Sequence, residues 1–374
     1  GLQRQDVVAS LRDLVDELYY RVPSGVGASG ALALAPADLT NVAEQGAQWA
    51  VSAGYGCDED LENVESGGCM PGADVSVVSA RAWARGRDQV GTLGAGNHFL
   101  EVGFVDKIFD EEAGLAYGLA EGQVTLMIHC GSRGFGHQVC SDFLEMMRRA
   151  TATHRLTIPD PQLACAPLAS AEARRYLGAM NCAVNYAFAS RQVIAHLSRQ
   201  AFERVFRGAS ASHLRTVYEV AHNIATFENH VVDGRDCRLC VHRKGATRAY
   251  GPGQMAVPSR YRSIGQPVLV PGDMGTCSFV LAGTQRAMLD TFGSACHGAG
   301  RSMSRTQAQK LAKGRDIGRE LARNGIVLRA RSQQTVAEEM PEAYKNVTDV
   351  VDVCRRAGMA RPVARLRPLG VVKG

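Results

Sequence analysis

The chain has 374 residues, with Lys+Arg 42 against Asp+Glu 37, a net charge of +5 and a pI ≈ 8.6; it is 45% hydrophobic and 21% charged, and it contains 40 glycines and 11 cysteines. These proportions exclude a disordered, collagen-like or low-complexity chain. The small excess of positive charge falls short of a dedicated nucleic-acid binder, while remaining compatible with a polyanionic partner. No apolar run approaches the roughly 20 residues that span a bilayer, and an odd number of cysteines without framework spacing indicates reduced thiols.

In chain order, Val7, Val8, Leu11, Leu14, Val15 and Leu18 recur at helical spacing behind Asp6, which predicts an amphipathic helix. Pro23-Ser24-Gly25 breaks it, and a second helical pattern runs over 38–53 to the stop at Gly54 and Gly56. Residues 57–73 read as loop. The run 123–129, Q-V-T-L-M-I-H, reads as a buried strand that delivers His129 to a glycine-rich turn. The stretch 170–208 is the longest helical pattern. Strands follow at 214–220, 231–232, 238–242, 267–270 and 279–281, with a hairpin turn at Asp233-Gly234. The tail adds a strand at 326–330, a helix at 349–357 and a last strand at 369–372. Cys237 and Cys240, the one C-x-x-C, fall on an alternating strand and read as packing. Helices and strands mix without a βαβ rhythm or a repeat. The prediction is therefore an α+β fold with mixed sheets and surrounding helices, in one large domain spanning 1–374, with only a weak boundary over 248–261.

Histidine is where chemistry shows. Of ten, His98, His129, His222 and His297 each sit beside glycine or asparagine at the end of an apolar run. Glycine exposes backbone amides to phosphate, and imidazole binds a transition metal or acts as a nucleophile. Singly each reads as a structural histidine; together they read as a site suited to Zn, Mn, Fe or Ni. Gly131-Ser132-Arg133, Gly298-Ala299-Gly300-Arg301 with Arg305, and Pro271-Gly272-Asp273-Met274 through Ser278 are candidate oxyanion cradles, each equally readable as a tight turn. None is a Walker A or dinucleotide fingerprint. His242-Arg243-Lys244-Gly245-Ala246-Thr247-Arg248 is a basic turn or an RNA-backbone contact.

The motifs G-T-L-G-A-G-N-H-F-L-E, I-H-C-G-S-R-G-F-G-H-Q, A-H-N-I-A, H-R-K-G-A-T-R-A, P-G-D-M-G-T-C-S-F-V-L, C-H-G-A-G-R-S-M-S-R and the terminal V-V-K-G resemble, in order, those of the RtcB family of RNA ligases. M-P-E-A-Y-K-N-V-T-D-V-V is similar to its eukaryotic and archaeal branch. The resemblance implies a GTP- and Mn²⁺-dependent ligase of tRNA splicing and RNA repair. Such an enzyme joins RNA bearing a 2′,3′-cyclic phosphate or 3′-phosphate to 5′-hydroxyl RNA, here tRNA exon halves.

It further implies that His297 is the nucleophile that takes up GMP, and that His98, His129 and His222 are manganese ligands. The guanylate pocket would comprise Asn97, His98, Phe99, Leu100, Glu101, His222, Asn223, Pro271, Gly272, Asp273, Met274, Ser278, His297, Gly298, Ala299, Gly300 and Lys373. Glu101 would read the guanine edge, and Arg133, Lys244, Arg301 and Arg305 would meet RNA phosphate. Archease and a ligase complex with a DEAD-box helicase are the implied partners. No membrane association is expected, and the location is nucleus and cytoplasm in a eukaryote and cytoplasm otherwise. The sequence departs from the family at Cys130 and Asp273. The D-x-x-C-G motif, with its aspartate and cysteine metal ligands, is expected upstream of Gly1. Two other readings remain: a catalytically silent RNA-binding subunit, and a metal-dependent phosphoesterase.

Overall fold

The computed structural model describes residues 1–374 apart from 31, 33 and 207–213. Among the described residues the strands are β1 (Phe99–Ile108), β2 (Val124–His129), β3 (Asn223–Val232), β4 (Arg235–Lys244), β5 (Ala246–Arg248), β6 (Pro267–Val270), β7 (Ser278–Gly283), β8 (Ser294–Cys296), β9 (Val327–Ala330) and β10 (Ala360–Lys373). Six of them form one sheet in the order β2-β1-β10-β7-β6, with β9 paired to β10; β3 with β4 and β5 with β8 form separate antiparallel pairs. Helices surround the sheet, so the fold is α+β as expected.

β10 organises this sheet. Its first half pairs antiparallel with β7, Ala360 opposite Gly283 and Leu366 opposite Ser278, and its last residues run parallel to β9. Its other edge pairs with β1, so that Phe99 faces Lys373. Phe99 also faces His129 on β2. One end of the sheet therefore collects Phe99, His129 and Lys373 in a single row.

β1 is covered on both faces, which is why it reads as a nearly continuous apolar run rather than an alternating one. Leu100 and Val102 enter a core with Leu14, Leu18, Tyr186 and Phe202, whereas Val105 enters a second core with Tyr261, Val280 and Leu366. The helix Ala171–Val205 is the spine of the first core, and Tyr186 on it stacks on Phe135 at 5.0 Å and donates its hydroxyl to the Gly86 carbonyl at 2.7 Å. Tyr250, Val257 and Tyr261 pack in the second core, so the expected weak boundary over 248–261 is interior to the fold.

Several expectations are corrected. The first helix is two, Arg4–Val8 and Leu11–Arg21, and Asp6 sits inside the first turn, where it accepts from the Gln3 amide. The second is also two, Pro36–Gln45 and Ala47–Ser52, because Gly46 takes φ +60° and a Cβ there would lie 2.2 Å from the Gly68 carbonyl. The loop at 57–73 contains a short helix, Asp58–Leu61. Residues 214–220 form no strand beyond a bridge from Glu219 to Val64. β3 begins eight residues before the predicted 231, β10 is far longer than 369–372, and β1 and the helix Arg133–Thr153 were not predicted. Residues 207–208 of the predicted long helix lie outside the described residues.

The 214–220 segment is irregular because side chains rather than a ladder hold it. Asp60, with 3% side-chain exposure, accepts from Arg199 at 2.6 and 2.7 Å, from Gln192 at 2.9 Å and from the Thr216 hydroxyl at 2.6 Å. Burial alone raises the Asp60 pKa, but these donors outweigh it and hold the carboxyl down at about 2, against an ordinary 3.8. A depressed folded-state pKa contributes stability that is fully present above about pH 4 and is lost as the pH falls toward 2. We expect Asp60→Asn to lower the unfolding free energy by about 3 kcal/mol at neutral pH. The difference from wild type should narrow as the pH falls from about 4 toward 2, as read by urea unfolding at each pH.

Candidate active site

Four strand ends bring the four histidines together. The His98 and His129 ring centres are 6.0 Å apart, those of His129 and His222 are 5.2 Å apart, and those of His222 and His297 are 4.7 Å apart. The Nε2 atoms of His129 and His222 face each other at 3.1 Å. Phe99 meets His129 edge-on at 5.4 Å. Gly94 lets His98 approach the backbone: a Cβ there would fall 1.8 Å from His98 Nδ1 and 2.3 Å from an Arg133 nitrogen.

Burial keeps these rings neutral. It pulls His98 down to about 3, with the charges of Arg133 and Lys373 adding to it, and His222 down to about 4, with His297, Arg191 and Lys244 adding. His129 is held well below its ordinary value and His297 is lowered, in each case by burial first. Neutral imidazoles amid lysine and arginine make a cleft that repels cationic protons yet favours polyanions. His98 Nδ1 and His222 Nδ1 are buried without a hydrogen-bond partner. Unpartnered ring nitrogens on neutral imidazoles suit a transition-metal site, so these residues fit such an ion. No preformed group of three ligands stands among the described residues. Cys130 adds no ligand there, since its thiol turns to the Thr92 carbonyl at 3.3 Å.

The glycine turns converge on the same place. Gly272 is forced by a backbone carbonyl, that of Cys277, which would lie 2.0 Å from a Cβ, and its amide donates to Ser278 Oγ at 3.2 Å. Asp273 caps its own turn, accepting from the Gly275 amide at 2.8 Å and the Thr276 hydroxyl at 2.6 Å. Ala299 donates to the Pro271 carbonyl at 2.9 Å, which seats the 298–300 loop on the 271–274 turn. Met274 is buried in a core with Val371. Glu101 and Lys373 are both buried beside this turn. Burial, with Asp273 adding, raises Glu101 to about 8; burial lowers Lys373 to about 8 against the opposing charge of Glu339 and Glu101. Asn97 and Asn223 are exposed at the rim.

The arginines divide into two kinds. Arg133, at φ +52°, donates to Thr92 Oγ1 at 3.1 Å and the Gly25 carbonyl at 3.0 Å. Arg301 donates to Glu339 at 3.1 Å and to the Met303 and Glu338 carbonyls. Both are committed within the protein. Lys244 is exposed, and Arg305 keeps 56% side-chain exposure while reaching toward Gly96. In the basic turn, Arg243 and Arg248 are buried and paired with Glu228 and Glu65, which corrects the reading of that turn as three solvated cations.

Two supports escaped the sequence. Glu339, 1% exposed, gathers Arg301, Arg305 and Tyr344 under the Lys373 end of the sheet. Arg191 on the long helix donates to Glu219 at 2.9 Å and to the Cys130 carbonyl at 2.8 Å, bracing the segments that carry His222 and His129. An arginine among buried Ala187, Val193 and Ile194 is the one sequence signal for it. Removing the charge with Glu219→Gln is expected to weaken the affinity of the histidine cluster for a divalent transition metal by about tenfold, measured by isothermal titration.

The family model for tRNA-splicing ligase RtcB matches residues 1–374. The tRNA-splicing ligase RtcB of Archaeoglobus fulgidus is 53% identical over 376 residues, covering 100% of this chain and 78% of that protein. Those of Methanocaldococcus jannaschii and Pyrococcus furiosus are 51% and 53% identical over all of this chain, which spans only 39% of the length of each. A family match over residues 1–374 and about half identity to curated relatives over the whole chain place this chain in the RtcB family.

Proposed function

We propose that this chain is a GTP-dependent RNA ligase that joins RNA ending in a 3′-phosphate or 2′,3′-cyclic phosphate to RNA with a 5′-hydroxyl, as in tRNA splicing and RNA repair. The observation that carries the reading is His297, neutral and half-buried beside His222 at 4.7 Å, next to the 298–300 loop that sits on the 271–274 turn. The names of the relatives support it.

In this reading His297 acts through a neutral ring nitrogen, available at physiological pH because burial lowers its pKa. His297 attacks the α-phosphorus of GTP; the nitrogen–phosphorus bond forms, the α–β anhydride breaks and pyrophosphate leaves. Where the end is a 2′,3′-cyclic phosphate, water first opens it, breaking the P–O2′ bond to leave a 2′-hydroxyl and a 3′-phosphate; GMP then passes from His297 to that 3′-phosphate, freeing the imidazole. The 5′-hydroxyl of the second RNA attacks the activated phosphate in line, closing the phosphodiester and releasing GMP. His98, His129 and His222 would hold manganese, which would neutralise triphosphate charge when bound. Glu101, two residues along β1 from Phe99, would read the guanine edge, and the Pro271–Met274 and Gly298–Gly300 turns would offer amides to the phosphates. Exposed Lys244, and Arg305, which keeps 56% side-chain exposure while paired with Glu338 and Glu339, meet RNA phosphate in this reading, while Arg133 and Arg301 shape the walls.

Two outcomes test this. Incubation with α-labelled GTP and Mn²⁺ should leave label on the denatured protein, mapped to His297, and His297→Ala should carry none; label retained in that variant refutes the assigned nucleophile. Chelation of divalent ions before GTP is added should abolish labelling, and added Mn²⁺ should restore it.

A further inference from the structure

The β3–β4 hairpin stands as a sheet of two strands, and its two faces differ sharply. Directly opposed residues of an antiparallel pair share a face. One face carries Ile224, Thr226, Glu228 and His230 against Arg243, Val241 and their neighbours, and is sealed by a buried network: Arg243 holds Glu228 at 2.9 Å and the Phe292 carbonyl at 2.9 Å. The other face pairs Asn223 with Lys244, Ala225 with His242, Phe227 with Cys240 and Asn229 with Arg238. Lys244, His242 and Arg238 are exposed there, and Phe227 keeps 49% exposure with the Arg238 guanidinium 5.3 Å from its ring centre. Lys244 adjoins Gly245, whose Cβ position lies 3.9 Å from His297. The stripe therefore starts at the proposed nucleophile and runs outward for about 20 Å at the usual strand rise.

We propose that this face is a track for single-stranded RNA, on which Lys244, His242 and Arg238 follow the phosphates and Phe227, backed by Arg238, stacks an unpaired base. The proposal rests on the ligase reading and extends it from the reacting ends to the strand behind them. Three observations select this occupant. Lys244 and Arg238 stand six residues apart on one face with the His242 imidazole between them, a spacing that suits a polyanionic chain laid along the strands. A large exposed aromatic ring among cations is a stacking platform for a base that is not already paired. The stripe also begins beside His297, through Gly245, and Ala225 within it is packed against Met180 and Val184. The carboxylate on this face, Asp236 opposite Val231, lies beyond Arg238 toward the turn, so the track ends before it.

The test is fluorescence anisotropy with a labelled ten-nucleotide single-stranded RNA bearing a 3′-phosphate, with Phe227→Ala and Arg238→Gln, both surface changes whose folding is checked by thermal unfolding. Each variant is expected to raise Kd about tenfold, and Arg238→Gln alone is expected to lower the salt slope by about one. In wild type, a 4-thiouridine probe should cross-link to Phe227. Unchanged Kd in both variants overturns the track, and a blunt RNA duplex that binds as tightly with the same sensitivity overturns the single-strand assignment. Wild type that takes label from GTP and binds RNA, with variants that bind equally well, sinks this proposal alone. Wild type that takes no label and binds no RNA sinks the ligase reading with it.

Discussion

The register between β1 and β10 is the constraint on which the site depends. Phe99 faces Lys373 and Glu101 faces Val371, while β2 sets His129 against Phe99 on the other side. A slip of one residue would turn every side chain of β1 to the opposite face, carrying Glu101 into the core of Leu14 and Leu18 and pulling Leu100 out of it. The slip is costly because it would bury the Glu101 carboxyl among apolar side chains without a partner. The packed sheet thus fixes a polar constellation at its end, and the irregularities in β1 pairing lie farther along, between Val102 and Gly103 and between Val105 and Lys107.

The second requirement is to keep several imidazoles close without charging them. Burial does so, and the surrounding cations reinforce it. A cleft of that kind needs fixed charges that are themselves satisfied, and the protein supplies them as arginine–carboxylate pairs behind the histidines. Arg191–Glu219 braces the approaches to His129 and His222, Asp60–Arg199 pins the segment before Glu219, and Arg243–Glu228 ties the hairpin to the residues that lead into β8 and His297. Each pair leaves one charge uncompensated in the interior if a partner is lost, which is why such residues act at a distance from the chemistry.

Legibility followed the locality of the signal. β2, β6, the long helix after Ser170 and the Asp233-Gly234 turn were readable because their apolar periods or turn residues are continuous in sequence. β1 was missed because burial on both faces erases alternation. The helix Arg133–Thr153 was missed because it opens on Arg133-Gly134-Phe135-Gly136, which scores as a turn until Phe135, Val139 and Phe143 are seen facing one core. The false strand at 214–220 has apolar residues at strand spacing, but its partners are the side chains of Asp60 and Arg191.

The sequence by itself determined the chemistry of the centre: four histidines at the ends of apolar runs, each beside glycine or asparagine, with the turn at Pro271 and the 298–300 loop as cradles. Residue type and immediate neighbours carry that information, so the chain order displays it. Only the tertiary structure decided which cations are free and which are spent, and it added Arg191 and Glu339, which no motif marks. The physical reason is range: Arg191 meets Cys130 across 61 positions and Arg301 meets Glu339 across 38, and a buried charge is defined by partners that folding alone brings within hydrogen-bond reach.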